Sequence, residues 1–218
     1  MVTNDEALIS EAPCRLARWS PDERRDHIIA VAAEAFAQEG YGATSMSSIA
    51  ARLGGSKATL YKYFPSKEAL FEAVMGQRCD RMMAPLRDLR SSDSDDLEQL
   101  LAGFGVRFLE KIYEPGAHDV FRLIHAEGSR FPELADVFLR SGPDAVIDEL
   151  CATLARFVAA GRIVCADLRL SAGQFLGMLR GDSHLRYAVG ARDVPGPAEI
   201  AVQAANAAAI FARGLRPD

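Results

Sequence analysis

Apolar residues recur along the 218-residue chain at intervals of three and four, and this spacing predicts a protein made of α-helices. Alternating runs of β-branched residues, which are typical of strands, do not occur between the Gly, Pro and Ser breaks. We therefore predict an all-α fold of ten helices. They cover residues 20–39, 46–53, 57–64, 66–90, 95–113, 117–130, 132–140, 143–160, 170–188 and 196–213.

Polar residues mark where the first four helices begin. The capping residues are predicted to be Ser20, Ser45, Ser56 and Ser66. Pro21 at the first helical position and Glu23 three residues after the serine complete a capping box for the first helix. Gly40 ends that helix, and Pro65 ends the third. The predicted linkers are 91–96 and 189–197, and residues 1–19 are predicted to be a flexible tail.

The second and third helices have the pattern of a helix-turn-helix. Ile49 and Leu60 lie on inward faces, Ala50 is small where two helices cross, and Gly54 lies in the turn. The residues left on the outer face of the third helix are Lys57, Ala58, Thr59, Tyr61, Lys62 and Tyr63. Their donors, positive charges and flat rings suit phosphate oxygens and base edges, so this face predicts a DNA interface.

Charge supports that prediction once it is followed along the chain. The whole protein is 49% hydrophobic and 25% charged with a net charge of −5, which alone disfavours nonspecific nucleic-acid binding. The window from Gly40 to Lys67, however, contains no acidic residue and carries +4, from Arg52, Lys57, Lys62 and Lys67. For each lysine that neutralises a phosphate, the DNA affinity should fall by about 0.9 log units per tenfold increase in salt concentration. Helix N-termini at Ser45 and Lys67 could also hold phosphates.

The run from Arg24 to Val74, centred on FAQEGYGATSMSSIAARLGGSKATLYKYFPSKEALFEAVM, resembles the DNA-binding domain of TetR-family transcriptional regulators. The matching positions are Phe36, Gly40, Thr44, Ile49, Ala50, Gly54, Ser56, Lys57, Leu60, Tyr61, Tyr63, Phe64, Lys67 and Leu70. Two positions depart from the family pattern. Gly55 stands where an apolar residue is usual, and Ala58 replaces a common glycine.

The resemblance implies a helix-turn-helix DNA-binding domain over 20–66 and a helical bundle for ligand binding and dimerisation over 67–218. It implies a homodimer whose recognition helices enter successive major grooves of operator DNA. Thr44, Ser45 and Lys67 would touch phosphate, and the third helix would meet bases and backbone. The full set of expected DNA-contacting residues is Thr44, Ser45, Ser56, Lys57, Ala58, Thr59, Tyr61, Lys62, Tyr63 and Lys67.

The later run 121–138, together with 174–181, resembles the AefR-like C-terminal domain of that family. A small-molecule effector is therefore expected in the second domain. Its candidate contacts are Met82, Phe104, Phe108, Phe121, His125, Phe157, Phe175 and Met178. Taken one at a time, such residues are more often plain core than pocket lining. His118 and His125 have no carboxylate or cysteine at ligand spacing, so no metal site and no cofactor are expected.

The last helix is rich in alanine, with Ala201, Ala205 and Ala208 on one side. Small residues permit close helix approach, as in a pair packed across a twofold axis, although alanine also simply favours helix. The resemblance implies dimerisation through the last two helices.

Other protein classes are disfavoured by what the chain lacks. It contains no secretory signal pattern, no apolar run of bilayer length, no paired cysteines at metal spacing and no enzyme signature such as G-x-S-x-G or a phosphate-binding loop. The missing signal and apolar run lead us to expect a cytoplasmic protein. The family resemblance implies a regulator, expected to be a repressor released by a small apolar or amphipathic molecule. Two alternatives remain: an all-α small-molecule sensor without operator binding, and a helical enzyme.

Overall fold

The computed structural model describes residues 19–90, 95–114 and 116–217, except for the side chains of 81, 82 and 84–90. Every regular element in these ranges is a helix, which confirms the all-α prediction. The helices are α1 (Pro21–Glu39), α2 (Met46–Arg52), α3 (Lys57–Tyr63), α4 (Lys67–Arg90), α5 (Leu97–Ile112), α6 (Ala117–Glu127), α7 (Pro132–Ser141), α8 (Pro143–Ala159), α9 (Leu168–Ala188) and α10 (Pro197–Gly214). None of them, over the described ranges, is long and apolar enough to cross a membrane.

Three sequence expectations fall wholly or partly outside these ranges. The predicted tail lies outside them over residues 1–18, whereas the Trp19 ring packs edge-on against His27 at 4.6 Å between centroids. Most of the predicted linker at 91–96 also lies outside, although Asp96 is described and caps α5 by accepting from the Gln99 N–H. The side chain of Met82, a predicted ligand contact, is not among those described.

Serine side chains cap the first four helices, as predicted. Ser20 and Glu23 form the full capping box, with bonds of 3.2 and 2.8 Å. Ser45 pairs in the same way with Ser48, while Ser56 accepts from the Thr59 N–H and Ser66 from the Ala69 N–H, both at 3.1 Å. Each cap stabilises its helix by about 1 kcal/mol, so the short helices α2 and α3 have fixed starting points.

The helices enclose two hydrophobic cores. The N-terminal core joins α1, α2, α3 and the first half of α4, from Leu70 to Cys79, and it also takes in Leu134 of α7. Burial raises the pKa of the Cys79 thiol to about 11, so this cysteine is a neutral core side chain. The C-terminal core is built by α5, α8, α9 and α10, with Met83 of α4 at its edge. Thus α4 runs from one core to the other, and α7 also packs against the N-terminal core.

The C-terminal core is organised around a close crossing of α5 and α10. A Cβ atom at Gly105 would lie 2.7 Å from Leu179 Cδ2 and 3.0 Å from Ala204 Cβ, so only glycine fits there without a shift. Ala204 and Ala208 are fully buried against this crossing, while Ala201 and Ala205 are exposed. Ala208 therefore serves the core of its own chain, contrary to its predicted place on the partner-facing side.

Helix α9 contains a built-in break. Gly181 has φ 49° and ψ −159°, a conformation outside the helical region that glycine adopts at little cost. The side-chain amide of Gln203, on α10, donates to the carbonyls of Leu179 and Arg180 at 2.5 and 3.2 Å. After the break, residues 182–188 of α9 run toward the end of α5 and the start of α6. There the rings of His184 and Tyr187 contact those of Tyr113, His118 and Phe121.

Candidate nucleic-acid interface

Helices α2 and α3 form the predicted helix-turn-helix. Ile49, Ala50, Leu60 and Phe64 are each less than 5% exposed and join the N-terminal core. Gly54 takes φ 63° in the turn between the helices, a left-handed conformation that favours glycine. With its inner face held by these contacts, α3 presents a fixed outer face.

That outer face carries most of the predicted contact residues. Exposed side chains on α3 are Lys57, Ala58, Thr59, Tyr61 and Lys62, and Tyr63 is half-buried against the core. The Lys57 ammonium lies 5.9 Å from the centre of the Tyr61 ring, and the Thr59 hydroxyl lies 2.9 Å from the Ser56 hydroxyl. The result is an exposed cationic and aromatic surface on a helix with no acidic residue.

Thr44 is placed differently from the expectation. It is 1% exposed, and its hydroxyl donates to the carbonyls of Gly40 and Ala35 at 2.7 and 3.3 Å. The side chain therefore closes the loop between α1 and α2 and does not face solvent. Ser45, next along the chain, is exposed and is the better placed of the two for a phosphate.

Lys67 is also turned inward. Its ammonium donates to the carbonyls of Tyr41 and Thr44 at 2.9 and 3.1 Å and lies 4.1 Å from the centre of the Tyr41 ring. The Tyr41 hydroxyl in turn donates to Glu68 at 3.2 Å, and burial, with the Glu68 charge second, raises its pKa. Lys67 thus holds the α1–α2 loop in place, which differs from the expected free phosphate contact.

Arg52 accounts for part of the positive charge counted in the sequence window. Its guanidinium forms an ion pair with Glu39 of α1 and donates to Gln38 at 3.1 Å. The acidic partner lies just outside the acid-free window, so the sequence window overstates the local charge. Lys57 and Lys62 are the two lysines of the window that the structure leaves fully exposed.

Glu127, at the end of α6, links the C-terminal part of the chain to helices α1–α3 and their loops, which together are called the head. Its carboxylate accepts the N–H groups of Tyr41 and Gly42 at 2.8 and 2.6 Å, and the Phe131 ring packs edge-on against Tyr41 at 5.3 Å. A Cβ atom at Gly42 would lie 3.0 Å from the carboxylate. Sequence reasoning missed this residue because the contact joins positions 86 apart.

The predicted effector residues divide into two groups. Phe104, Phe108, Phe157 and Phe175 are buried in the C-terminal core, and Met178 packs against it. Phe121 and His125 lie apart on α6, with ring centroids 4.2 Å from each other; Phe121 is half-buried and His125 is exposed. Of the predicted residues whose side chains are described, five thus belong to the C-terminal core and two to the surface of α6.

Two shallow clefts are described, and neither is lined by the predicted effector residues. One lies beside Gly55, where the missing apolar side chain leaves a gap bordered by Ile28, Ala50 and Leu60. The other lies between α1, α4 and α6. Over the residues that the structure covers, no group of three His, Cys, Asp or Glu side chains is placed to hold a metal.

Two family profiles match the chain over most of its length. The profile described as "Bacterial regulatory proteins, tetR family" matches residues 28–74, and "AefR-like transcriptional repressor, C-terminal domain" matches 99–214. The second alone spans more than half of the chain. The chain belongs to the TetR family of transcriptional regulators. The two resemblances found in the sequence are thereby confirmed.

Two relatives of this TetR-family regulator are similar to it over part of their length. It is 33% identical to the transcriptional regulator RutR of Escherichia coli K12 over 144 residues, 66% of each chain. It is 37% identical to the transcriptional activator FasR of Mycolicibacterium smegmatis over 85 residues, 39% of each. The match thus spans less than two thirds of each of these relatives.

Solved structures extend the likeness across the whole fold. The flavonoid-responsive regulator FrrA is 34% identical, with a TM-score of 0.79 over 90% of this chain and 98% of that one. A TetR-family regulator from Mesorhizobium loti is 25% identical, with a TM-score of 0.77 over 91% and 100%.

The structure of this TetR-family regulator places two further exposed residues beside the candidate interface that the motif did not single out. Ser47 is exposed beside Ser45 at the start of α2. Arg25 of α1 is exposed and lies 5.3 Å from the centre of the Phe64 ring, next to the end of α3. The signal in the sequence for Arg25 was a positive charge three residues before Ile28, the first buried residue of α1.

Proposed function

We propose that this protein binds double-stranded operator DNA through the exposed face of α3 and represses transcription until a small apolar or amphipathic molecule releases it. The observation that carries the proposal is the outer face of α3, where Lys57, Tyr61 and Lys62 are exposed on a helix fixed by its buried side. A helix in the major groove reads bases with such side chains.

The remaining contacts follow from the same placement. Thr59 and Ala58 face the groove with them, and Ser56, Tyr63 and the exposed Ser45 lie at its margins. We assign Thr44 and Lys67 to the shape of the α1–α2 loop, so their contribution to phosphate binding is indirect. Residues 20–66 then form the unit that contacts DNA, and residues 67–218 form the unit that binds the effector and dimerises.

The homodimer is proposed to form through α9 and α10. These helices leave large apolar side chains exposed beside the small Ala201 and Ala205, including Leu170 (59%), Leu185 (61%), Val202 (71%) and Ile210 (54%). An exposed apolar face of this extent is typical of a surface that a partner covers. A twofold pair would set two copies of α3 at a separation near the roughly 34 Å repeat of the major groove.

The effector is proposed to be a small molecule without a catalytic fate, in a protein that works in the cytoplasm. RutR and FasR are named as transcriptional regulators, which supports a regulatory role. The name of FrrA, which is called flavonoid-responsive, supports an effector with aromatic rings. If the effector binds more tightly to the arrangement of the two units that does not fit DNA, it would shift the population away from the DNA-competent form.

The test replaces Tyr61 and Lys62 with alanine and measures binding to the DNA immediately upstream of the protein's own gene by fluorescence anisotropy. We expect affinity to fall at least about tenfold, because base and phosphate contacts are lost together. The single variant Lys62→Ala should also reduce the salt slope by about 1.8 for a dimer, at about 0.9 per phosphate contact on each protomer.

The matched control is Arg216→Ala, which removes an exposed cation beyond the end of α10. It should leave both affinity and salt slope as in the wild type. Unchanged DNA binding in a folded Tyr61/Lys62 double variant would refute α3 as the recognition helix.

A further inference from the structure

Aromatic and titratable side chains gather where the end of α5, the start of α6 and the last turns of α9 meet. Tyr113 lies 5.1 Å from Tyr187 and 5.8 Å from His184 between ring centroids. His118 lies 4.8 Å from Tyr187, and Phe121 lies 5.7 Å from His184. Two of the four histidines of the chain are in this ring cluster, defined as Tyr113, His118, Phe121, His184 and Tyr187.

Three polar atoms of the ring cluster are buried without a hydrogen-bond partner among the described residues. They are the Tyr113 hydroxyl and the Nδ1 atoms of His118 and His184. Ser183 has a lowering effect on the pKa of Tyr113, which burial raises, but the two hydroxyls are not in hydrogen-bond geometry. A buried polar atom without a partner costs about 1–3 kcal/mol, so three together in one place indicate a site that a ligand completes.

Arg180 adds an uncompensated charge beside these atoms. Its guanidinium is half-buried and lies 5.5 Å from the centre of the Phe108 ring, and it pairs with no carboxylate among the residues described. Burial lowers its pKa, and its charge helps to lower the pKa of the neighbouring His184. A half-buried cation that faces no described carboxylate attracts an anion, so a ligand bound here is expected to carry a negative charge.

The backbone supplies a means of entry. Gly181 breaks α9 directly between Arg180 and His184, and Gln203 holds the carbonyls on the near side of the break. For a ligand to enter, residues 182–188 would have to move as one short helix about this glycine while 168–180 stay packed in the core. That movement would break the bond of 2.9 Å that Arg192, itself paired with Glu199 of α10, donates to the Ser183 hydroxyl. Opening at this hinge would separate the rings of α9 from those of α5 and α6.

From these features we propose that the ring cluster and Arg180 form the effector site, and that the effector is a planar aromatic molecule bearing an ionised oxygen. Its rings would lie edge-on or offset against Tyr113, Phe121 and Tyr187, which is the arrangement aromatic groups prefer. Its oxyanion would pair with Arg180, and a hydroxyl of the same molecule would donate to His184 or His118. This inference rests on the proposed function, since it names the class of molecule that would release the regulator.

The test uses isothermal titration calorimetry on the purified full-length protein with four named probes. Two are planar aromatic oxyanions, 2-naphthoate and 6-hydroxy-2-naphthoate. The other two are matched controls: 2-naphthamide keeps the rings and lacks the charge, and decanoate keeps the charge and lacks the rings. We expect both aromatic oxyanions to bind at least about tenfold more tightly than either control.

Variants locate the binding. Arg180→Gln should weaken 2-naphthoate at least about tenfold, and Arg180→Lys should recover part of that loss. His184→Phe keeps an aromatic ring and should weaken 6-hydroxy-2-naphthoate more than 2-naphthoate, because only the first carries a hydroxyl group. Arg186→Gln, on the same helix but exposed and paired with Asp182, is the control and should bind like the wild type.

Three results would overturn the inference: no heat with either aromatic oxyanion, equal affinity for 2-naphthoate and 2-naphthamide, or full affinity in a folded Arg180→Gln protein. DNA binding, measured by anisotropy without any probe, reports on the proposed function separately. A wild-type protein that binds its upstream DNA but fails these titrations would reject the effector class and keep the regulator. One that binds 2-naphthoate as expected but never DNA would do the reverse.

Discussion

The loop between α1 and α2 and the ring cluster treat buried polar groups in opposite ways. In the loop, the Thr44 hydroxyl donates twice, Lys67 donates to two carbonyls and Glu127 accepts two N–H groups. In the ring cluster, Tyr113, His118 and His184 each keep a polar atom without a described partner. Polar groups whose hydrogen bonds are all satisfied favour one conformation. Buried polar groups without a partner cost free energy, which a ligand that pairs with them would recover. The head is thus held in one shape, whereas the ring cluster keeps the polar atoms that the proposed effector would satisfy.

The largest expected effect tests the saturated side of this comparison. Lys67→Met keeps the aliphatic stem but removes the ammonium that holds the Tyr41 and Thr44 carbonyls. Losing hydrogen bonds from a charged donor should lower the free energy of unfolding by about 2–3 kcal/mol, measured by urea denaturation.

Lys62→Met is the matched control, because Lys62 is exposed on α3. It should change stability by less than about 0.5 kcal/mol while weakening DNA binding. Equal stability of the two variants would show that Lys67 does not support the loop.

Replacing tyrosine with phenylalanine at positions 113 and 41 should have a smaller effect on stability, of opposite sign in the two regions. Tyr113→Phe removes a buried hydroxyl without a partner and should be neutral or stabilise the protein by up to about 1 kcal/mol. Tyr41→Phe removes a hydroxyl that donates to Glu68 and should destabilise it by about 1 kcal/mol. Thermal unfolding of both proteins compares them directly, and a destabilised Tyr113→Phe would mean that its hydroxyl is already satisfied.

The smallest expected effect is on pH dependence. Burial, then the charges of Arg180 and His118, lower the pKa of His184 in the folded state below its ordinary value of 6.5. Below pH 6.5 the unfolded chain therefore takes up a proton at this residue more readily than the folded chain does, so stability is lost as pH falls. The groups around it are Arg180 on α9, His118 on α6 and Tyr113 on α5.

The measurement is a double difference. Melting temperatures of the wild type and His184→Phe are taken at pH 7.5 and at pH 5.5, so that other titrating groups cancel. The wild type should lose more on acidification than the variant, and equal losses would contradict the lowered pKa.

These contrasts also separate what sequence patterns predict from what they miss. The ten helices and their four serine caps follow from local rules, because caps and apolar spacing act within a few residues. The exposed positions on α3 were equally predictable from the sequence, because the outer face of a helix follows from the spacing of its apolar positions. Thr44 and Lys67 were harder, because both match a motif yet their donors are taken by carbonyls elsewhere in the loop.

The C-terminal residues were the least predictable. Phe104, Phe108 and Phe175 stack within a closed core, and nothing in their spacing distinguishes core from pocket. The break at Gly181 was invisible in a sequence that reads as one continuous helix, and without it His184 has no reason to meet Tyr113 and Phe121. Contacts between distant segments depend on tertiary packing, which periodicity does not encode.

Helix α6 carries His118 at its start and Glu127 at its end, and about 14 Å of rigid helix separates them. Its two ends therefore move together. If a bound molecule displaced the first turn, the Glu127 carboxylate would either leave the N–H groups of Tyr41 and Gly42 or move their loop with it. The position of the loop between α1 and α2 is therefore coupled to the packing of this eleven-residue helix.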